Sequence, residues 1–369
     1  MRILVTGGAG FIGSHTVDLL LEKKYTVRIL DNLTPPVHIE GRIPEYVPRD
    51  AEFILGDVRE RAAWERALVG VDAVFHFAAY QDYLPDFAKF FHVNTVGTAL
   101  MYEIIVEKKL PIQKIVVASS QSTYGEGKYE CEIDGAQFPP LRPVEQLARR
   151  DWEPHCPVCR RAMKPVLTDE ARINPHNQYA MSKFTQEMIA LNLGQRYNLP
   201  SAAMRFSIVQ GPRQSFRNAY SGALRIFTTR LLTNAAPVCY EDGQQLRDYV
   251  SVHDVARANV LVLEDARANY QAFNVGGGHA ITVQAYAQLI ARQMGKDIAP
   301  QIPGQYRFGD TRHIISDISK LRALGWEPQF SFEQIVDEYI AWARVQPDVR
   351  DYYEEAERQM KAMGTIRET

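Results

Sequence analysis

Apolar residues in the first third of the chain fall in short dense runs, and the longer stretches between them repeat their apolar positions with helical spacing. Residues 2–6 read as a buried strand, Gly7 to Gly13 as a glycine turn, and residues 14–24 as a helix with Val17, Leu20 and Leu21 on one side. Strand-like runs return at 26–30, closing on Asp31, and at 52–55, 73–77 and 114–118, with helix-like segments between them. Strands that alternate with helices pair in parallel, so the pattern predicts an α/β fold built on a doubly wound parallel sheet covered on both faces.

After Tyr124 the rhythm stops. Residues 126–168 are rich in proline and charge, carry three of the four cysteines and show no long apolar period, which predicts an inserted loop or miniature subdomain. Regular structure resumes with a helix over about 177–197, a strand around 202–209, and helices over 217–233, 250–264 and 281–294. The end of the chain, 332 to about 363, reads as helical, polar and rich in tyrosine.

With 369 residues, 46% of them hydrophobic, the chain can bury a substantial core in one large or two modest domains. A formal net charge of −2 gives no general attraction to nucleic acid or to an acidic membrane, so the expected partner is a small molecule. The apolar run behind Met1 is too short for a signal peptide, and no run of about 18 apolar residues occurs, so a soluble cytoplasmic protein without a membrane span is expected. In such a reducing compartment, the grouping of Cys131, Cys156 and Cys159, with Cys239 apart, suggests a metal before a disulfide.

The turn Gly7-Gly8-Ala9-Gly10-Phe11-Ile12-Gly13 lies between the first strand and the first helix. Glycines there permit a tight turn and let the backbone approach a pyrophosphate, whose charge sits at the helix N-terminus. Gly7, Gly10, Phe11, Ile12 and Gly13 are therefore assigned to a dinucleotide cofactor, and the sheet is read as Rossmann-type. Asp31, ending the second strand, is placed to accept hydrogen bonds from both adenosine ribose hydroxyls, and no arginine follows it at Asn32-Leu33, which favours NAD over NADP. Asp57 and Val58, after the third strand, are placed beside the adenine, and Phe77-Ala78-Ala79 ends the fourth strand in small residues suited to a close cofactor.

Tyr179 and Lys183 stand four residues apart on a predicted helix and so share a face. A phenol with a pKa of about 10 is a poor base at neutral pH. A neighbouring ammonium and the positive nicotinamide ring both favour the phenolate, which can then take a hydroxyl proton while hydride leaves the same carbon. Ser120, in the hydroxyl-rich run Ser119-Ser120-Gln121-Ser122-Thr123-Tyr124 behind an apolar strand, is the candidate to hydrogen-bond the substrate oxygen.

Together these motifs resemble the extended short-chain dehydrogenase/reductase superfamily, within it the nucleotide-sugar epimerases and dehydratases, over nearly the whole chain. The resemblance implies that Asn94 and Ser119 also belong to the NAD site, with NAD tightly bound. Arg247-Asp248-Tyr249-Val250 and Arg307-Phe308-Gly309-Asp310 resemble segments whose arginines grip a sugar-nucleotide diphosphate, as a planar guanidinium can. It also implies a 1–205 NAD-binding Rossmann domain, to which the chain returns at about 247–270 and which carries the inserted segment 126–168. A smaller C-terminal α/β substrate domain of 206–246 and 271–345 and a helical tail of 346–369 complete the expected organisation. Gln81, Ser120, Gln121, Ser122, Gln210, Arg213, Asn218, Arg247 and Arg307 are the expected substrate contacts.

Dehydratases of this family carry an Asp-Glu pair where this chain has Gln121 and Ser122, which leaves reversible hydride transfer and points to a 4-epimerase. The 76–83 segment, the cysteine-bearing insertion and the 218–222 stretch resemble dTDP-L-rhamnose 4-epimerases, which form dTDP-6-deoxy-L-talose. UDP-hexose or UDP-uronate 4-epimerisation and reduction of a 4-keto nucleotide sugar stay open as alternatives. Ile208 and Gln210 depart from the asparagine and tyrosine frequent at those positions. Helices at about 95–108 and 177–197 resemble those that pair across a two-fold axis in the family, which implies a homodimer. Finally, the two-residue gap of Cys156-Pro157-Val158-Cys159 suits a tetrahedral zinc that Cys131 could join, with His155 or Asp134 as fourth ligand; buried reduced thiols are the other reading.

Overall fold

The computed structural model describes residues 1–82, 84–217, 222–347 and 349–368. Its centre is a seven-stranded parallel sheet of β1 (Arg2–Thr6), β2 (Thr26–Asp31), β3 (Glu52–Leu55), β4 (Ala73–His76), β5 (Lys114–Ser120), β6 (Ser201–Phe206) and β7 (Gln271–Val275). The strand order is β7-β6-β5-β4-β1-β2-β3. The direction of winding reverses between β1 and β4, and a crevice opens there at the carboxyl ends.

Strands buried on both faces must be apolar on both, and alternate residues of one strand supply different cores. Ile3 and Val5 of β1 join a cluster with Val27, Ile29, Phe75 and Val116, whereas Leu4 joins Leu30, Val74, Ile115 and Val117 on the opposite face. The first four long helices are α1 (Phe11–Glu22), α2 (Arg61–Ala67), α3 (Gly97–Glu107) and α4 (Gln178–Met188). Val17 and Leu20 of α1 fill the first cluster; Ala63 and Trp64 of α2 and Met101, Ile104 and Ile105 of α3 fill the second. Beyond them come α5 (Ala223–Leu232), α6 (Val252–Glu264), α7 (Val283–Gln293), α8 (Phe332–Arg344) and α9 (Tyr353–Ala362). α6 packs Val255, Ala258 and Val262 onto the first cluster, while α5, α7 and α8 enclose a third cluster around Tyr249, Tyr286 and Tyr339.

Several element boundaries differ from the sequence reading. The tail is two helices rather than one, and Pro347, which lacks an amide hydrogen, lies between them. The run around 202–209 divides into β6 and a separate strand Ile208–Gln210, which pairs with Tyr249–Ser251 instead of continuing the sheet. α5 begins at Ala223, later than expected, and residues 218–221 lie outside the described set. π turns at Phe91–Val96 and Ile189–Leu193 adjoin α3 and α4, a distortion that periodicity does not reveal. The insertion holds a small antiparallel sheet of Tyr129–Cys131, Gly135–Gln137 and Lys164–Pro165, and a short helix Val144–Leu147. Among the described residues no helix is long and apolar enough to cross a membrane.

Candidate active site

A cavity of about 920 Å³ runs along the carboxyl ends of the sheet strands and under α5 and α7. At one end the glycine turn leaves β1 and enters α1, and its packing excludes side chains. Gly7 has φ +68°, and a Cβ on it would lie 2.8 Å from the Ala78 amide nitrogen. A Cβ on Gly13 would lie 2.1 Å from the Gly7 carbonyl oxygen. Gly10 caps α1, whose first turn has no acidic residue, so the positive end of the helix faces the cavity with Phe11 and Ile12. Asp31 stands beside it, its carboxylate accepting the Ala9 amide at 3.1 Å and the Leu33 amide at 2.9 Å. Tyr46, which the sequence reading missed, donates its hydroxyl to the Ala9 carbonyl at 2.7 Å and braces the turn from outside.

Asn32, Asp57 and Val58 continue the cavity wall. Asp57 accepts from Asn32 at 2.9 Å and is held by Arg59 at 2.8 Å; these bonds bring its pKa down to about 2 despite the opposing cost of burial. Phe77, Ala78 and Ala79 line the floor. A cradle that only backbone can fill, a free helix N-terminus and a carboxylate at the end of β2 fit the pyrophosphate and ribose of a dinucleotide.

Tyr179 and Lys183 of α4 line the cavity beside Ser119 and Ser120 of β5. Asn177 starts this helix by accepting the Ala180 amide at 2.8 Å, which sets where Tyr179 falls. The Tyr179 and Ser120 hydroxyls are hydrogen-bonded to each other. Burial pushes the Tyr179 phenol up to about 12, with the Ser120 bond opposing it, and pushes the Lys183 ammonium down to about 7. The protein alone thus favours neutral forms of both groups, opposite to the tuning read from their spacing; bringing the phenol down requires further positive charge in the cavity.

Supporting contacts hold this constellation rigid. The Ser119 hydroxyl turns away to Glu187 at 2.8 Å, and Glu187 also pairs with Arg205 on β6 in a fully buried bridge. Asn94 does not line the cavity. It is buried behind it, accepting the Tyr80 amide at 2.8 Å and donating to the Ser182 hydroxyl at 2.9 Å, so it ties the chain after β4 to α4.

At the opposite end the structure gathers Gln81, Gln121, Ser122, Ile208, Arg247 and Arg307 around the same cavity. The Arg247 guanidinium donates to the carbonyls of Thr311 at 2.7 Å and Arg312 at 2.9 Å, which fixes its direction. Arg307 pairs with Asp310 and stacks over Tyr240. Gln121 accepts from Ser207 at 3.0 Å, and Ser207 and Phe206 also line the wall. Two expected contacts fall elsewhere. Gln210 is fully buried outside the lining, and Arg213 is drawn away to Asp18 at 2.7 Å and to the Tyr46 ring. Asn218 lies outside the described residues. Conversely, Tyr240 and Tyr353 line the cavity and were not among the expected contacts; for Tyr353 the tyrosine-rich tail was the available signal.

In the insertion, Cys131, Asp134, Cys156 and Cys159 bring their ligand atoms within 4.8 Å of one another. His155 instead hydrogen-bonds Asp151 at 3.2 Å and takes no part in this group.

Residues 3–148 and 161–276 match the NAD dependent epimerase/dehydratase family. The chain belongs to that family. A dTDP-L-rhamnose 4-epimerase of Burkholderia thailandensis is 31% identical over 92% of this chain and 94% of its own length. Among solved structures, the UDP-glucose 4-epimerase of Thermotoga maritima with UDP-glucose is 30% identical, with a TM-score of 0.77, covering 93% of this chain and 99% of that one. The Thermus thermophilus UDP-glucose 4-epimerase, solved with NAD, is 29% identical with a TM-score of 0.71 over 94% of this chain and 99% of that one. The chain is thus an NAD dependent epimerase/dehydratase family member, an enzyme of the nucleotide-sugar 4-epimerase type. The family match omits residues 149–160, the stretch that holds Cys156 and Cys159.

Proposed function

We propose that this protein is a nucleotide-sugar 4-epimerase that converts dTDP-L-rhamnose to dTDP-6-deoxy-L-talose. The observation that carries the reaction type is Tyr179 hydrogen-bonded to Ser120 in a cavity whose serine loop offers no acid for elimination. Gly7, Gly10, Gly13 and Asp31 would hold NAD, which supplies the acceptor and then the donor of one hydride at the sugar's C4. Ser120 positions the C4 oxygen, and Tyr179 removes its proton and later returns it. Lys183, one turn along α4, supplies positive charge beside that phenol when protonated. Arg247 and Arg307 hold the diphosphate while the 4-keto sugar turns its other face toward the site.

The rhamnose reading is supported by the Burkholderia relative and by the wall at Phe206 and Ile208, whose apolar side chains suit a 6-deoxy sugar. A uronate would call for a cation near the sugar. Of the lysines and arginines on the wall, Arg59 and Lys89 are paired with Asp57 and Asp86, Lys183 serves the Tyr179 phenol, and Arg247 and Arg307 serve the diphosphate. UDP-hexose is the second reading, favoured by the Thermotoga structure with UDP-glucose. Incubation with dTDP- and UDP-sugars, read by NMR for inversion at C4, tests both: turnover of dTDP-L-rhamnose alone supports the first, and turnover of UDP-glucose alone replaces it with the second. Loss of 340 nm absorbance of NADH in proportion to product would instead identify a ketoreductase.

The homodimer also belongs to this proposal. Thr95 donates to the Ser182 carbonyl and so joins the two helical segments side by side, and Val96, Met181 and Met188 are exposed on them. Apolar side chains left on paired helices suit a self-complementary two-fold contact.

A further inference from the structure

The inserted segment has almost no core of its own. Its buried apolar side chains form two small groups, Tyr129, Met163, Cys131 and Cys156 with Cys159 packed against them, and Leu147 and Trp152 against Tyr306. So little apolar surface orders a unit of about 40 residues weakly by itself, and segments of this size are commonly held by a covalent or metal staple.

The four candidate ligands are organised as two matching turns. Cys131 and Asp134 flank a turn between two short strands, with Gly135 at φ +68° just beyond it. Cys156 and Cys159 flank the second, which is closed by the Arg160 amide on the Cys156 carbonyl at 3.0 Å. Each turn presents two ligands three residues apart. Each also aims backbone amides at sulfur: Ile133 and Asp134 at Cys131, Val158 at Cys156 (3.4 Å) and Arg161 at Cys159. Amide donors of this kind stabilise thiolate charge and orient first ligands.

The separations lie within about 0.4 Å of those around a tetrahedral ion. Bonds of about 2.3 Å to sulfur and about 2.0 Å to oxygen place tetrahedral ligands roughly 3.8 Å (S···S) and 3.5 Å (S···O) apart. Here Cys131 and Cys159 are 3.4 Å apart, Cys131 and Asp134 3.5 Å, and Cys156 and Asp134 3.1 Å. Three thiolates and one carboxylate select a borderline-soft divalent ion over calcium or magnesium. The protein supplies all four positions and none of these residues lines the catalytic cavity, so the site is closed and structural.

We propose that Cys131, Asp134, Cys156 and Cys159 form a structural zinc site that closes the 126–168 insertion into a folded unit. Tyr129, packed among these cysteines, accepts the His313 amide at 3.1 Å, next to Arg312, whose carbonyl helps aim Arg247. The metal therefore braces the insertion against the chain segment that holds a cavity arginine.

Elemental analysis of full-length protein made with added zinc is the test. One zinc per chain retained through gel filtration is expected, and cobalt in its place should give thiolate-to-metal charge-transfer absorption and the visible bands of a tetrahedral ion. Cys156→Ser and Asp134→Ala should lower the zinc content, while Asp134→Cys should keep it at one per chain and slow its loss to a chelator. Stripping zinc from the wild-type protein should open residues 126–168 to protease. Wild-type protein without metal and with all its thiols titratable would overturn the proposal, and so would a Cys131–Cys159 disulfide found by mass spectrometry. None of these readouts depends on the sugar substrate.

Discussion

Burial fixes the resting protonation of the two central residues, with the Tyr179 phenol up to about 12 and the Lys183 ammonium down to about 7. For Lys183 the unfolded chain binds the proton more tightly, so stability rises with pH from about 7 to the ordinary lysine value. For Tyr179 the folded chain keeps the proton longer, so stability falls with pH between the ordinary phenol value and about 12. Lys183→Met should accordingly flatten the rise between pH 7 and 10 in denaturant titrations of cofactor-free protein, by about 1.4 kcal/mol for each unit of the removed shift. An unchanged slope would mean that Lys183 is solvated. Tyr179→Phe should keep NAD affinity within a factor of two or so and lower turnover by about 10²- to 10⁴-fold, the range of a lost acid/base. Near-normal turnover would remove Tyr179 from the chemistry. The pair was legible because four-residue spacing on a helix is a local property; its resting charge state was not, because desolvation comes from residues distant in sequence.

Between β1 and α1 the glycine turn is over-determined by contacts from its own backbone and from Phe77 and Ala78 behind β4. Gly13→Ala would drive a methyl into the Gly7 carbonyl, and the turn has no flexible side chain to yield. It should cost about 1–3 kcal/mol in stability, as overpacking does, and weaken NAD binding in calorimetry. That element could be read in one dimension. The displacement of Asn94 and Arg213 from the cavity could not, since a strand or helix position does not reveal which neighbour claims the side chain. Asn94 is taken by Tyr80 and Ser182, and Arg213 by Asp18. The split of the tail into α8 and α9 brings Tyr353 to the cavity, an outcome decided by where the second helix docks.

At the scale of the molecule, buried charge joins the insertion to the cavity arginine. Arg142 pairs with Glu126 and Glu241 at 3.0 Å each, and Arg312 pairs with Glu241 at 2.9 Å, their side chains no more than 2% exposed. Arg142→Met leaves the Glu126 carboxylate without its cation in a dry interior and Glu241 with Arg312 alone, and should destabilise the protein by about 3–5 kcal/mol in denaturant unfolding. Because Arg312 and Thr311 aim Arg247, KM for the sugar nucleotide should rise more than kcat falls. The proposed dimer is testable in the same protein: Val96→Glu with Met188→Glu should give a monomer by light scattering, with the far-UV spectrum unchanged. A wild-type monomer would remove the two-fold contact from the proposal.

The amino-acid sequence by itself determined the features that reside in neighbouring residues. These are the alternation of strand and helix, the glycine turn, the carboxylate closing β2, and the phenol and ammonium on one helical face. Each depends on spacing or on backbone permissiveness, and both are local. Only the tertiary structure decided which of the expected side chains reach one cavity, what charge they carry there, and that Asp134 rather than His155 completes the cysteine group. Those outcomes depend on desolvation and on competition for partners among residues far apart in the chain, and neither exists before the chain is folded.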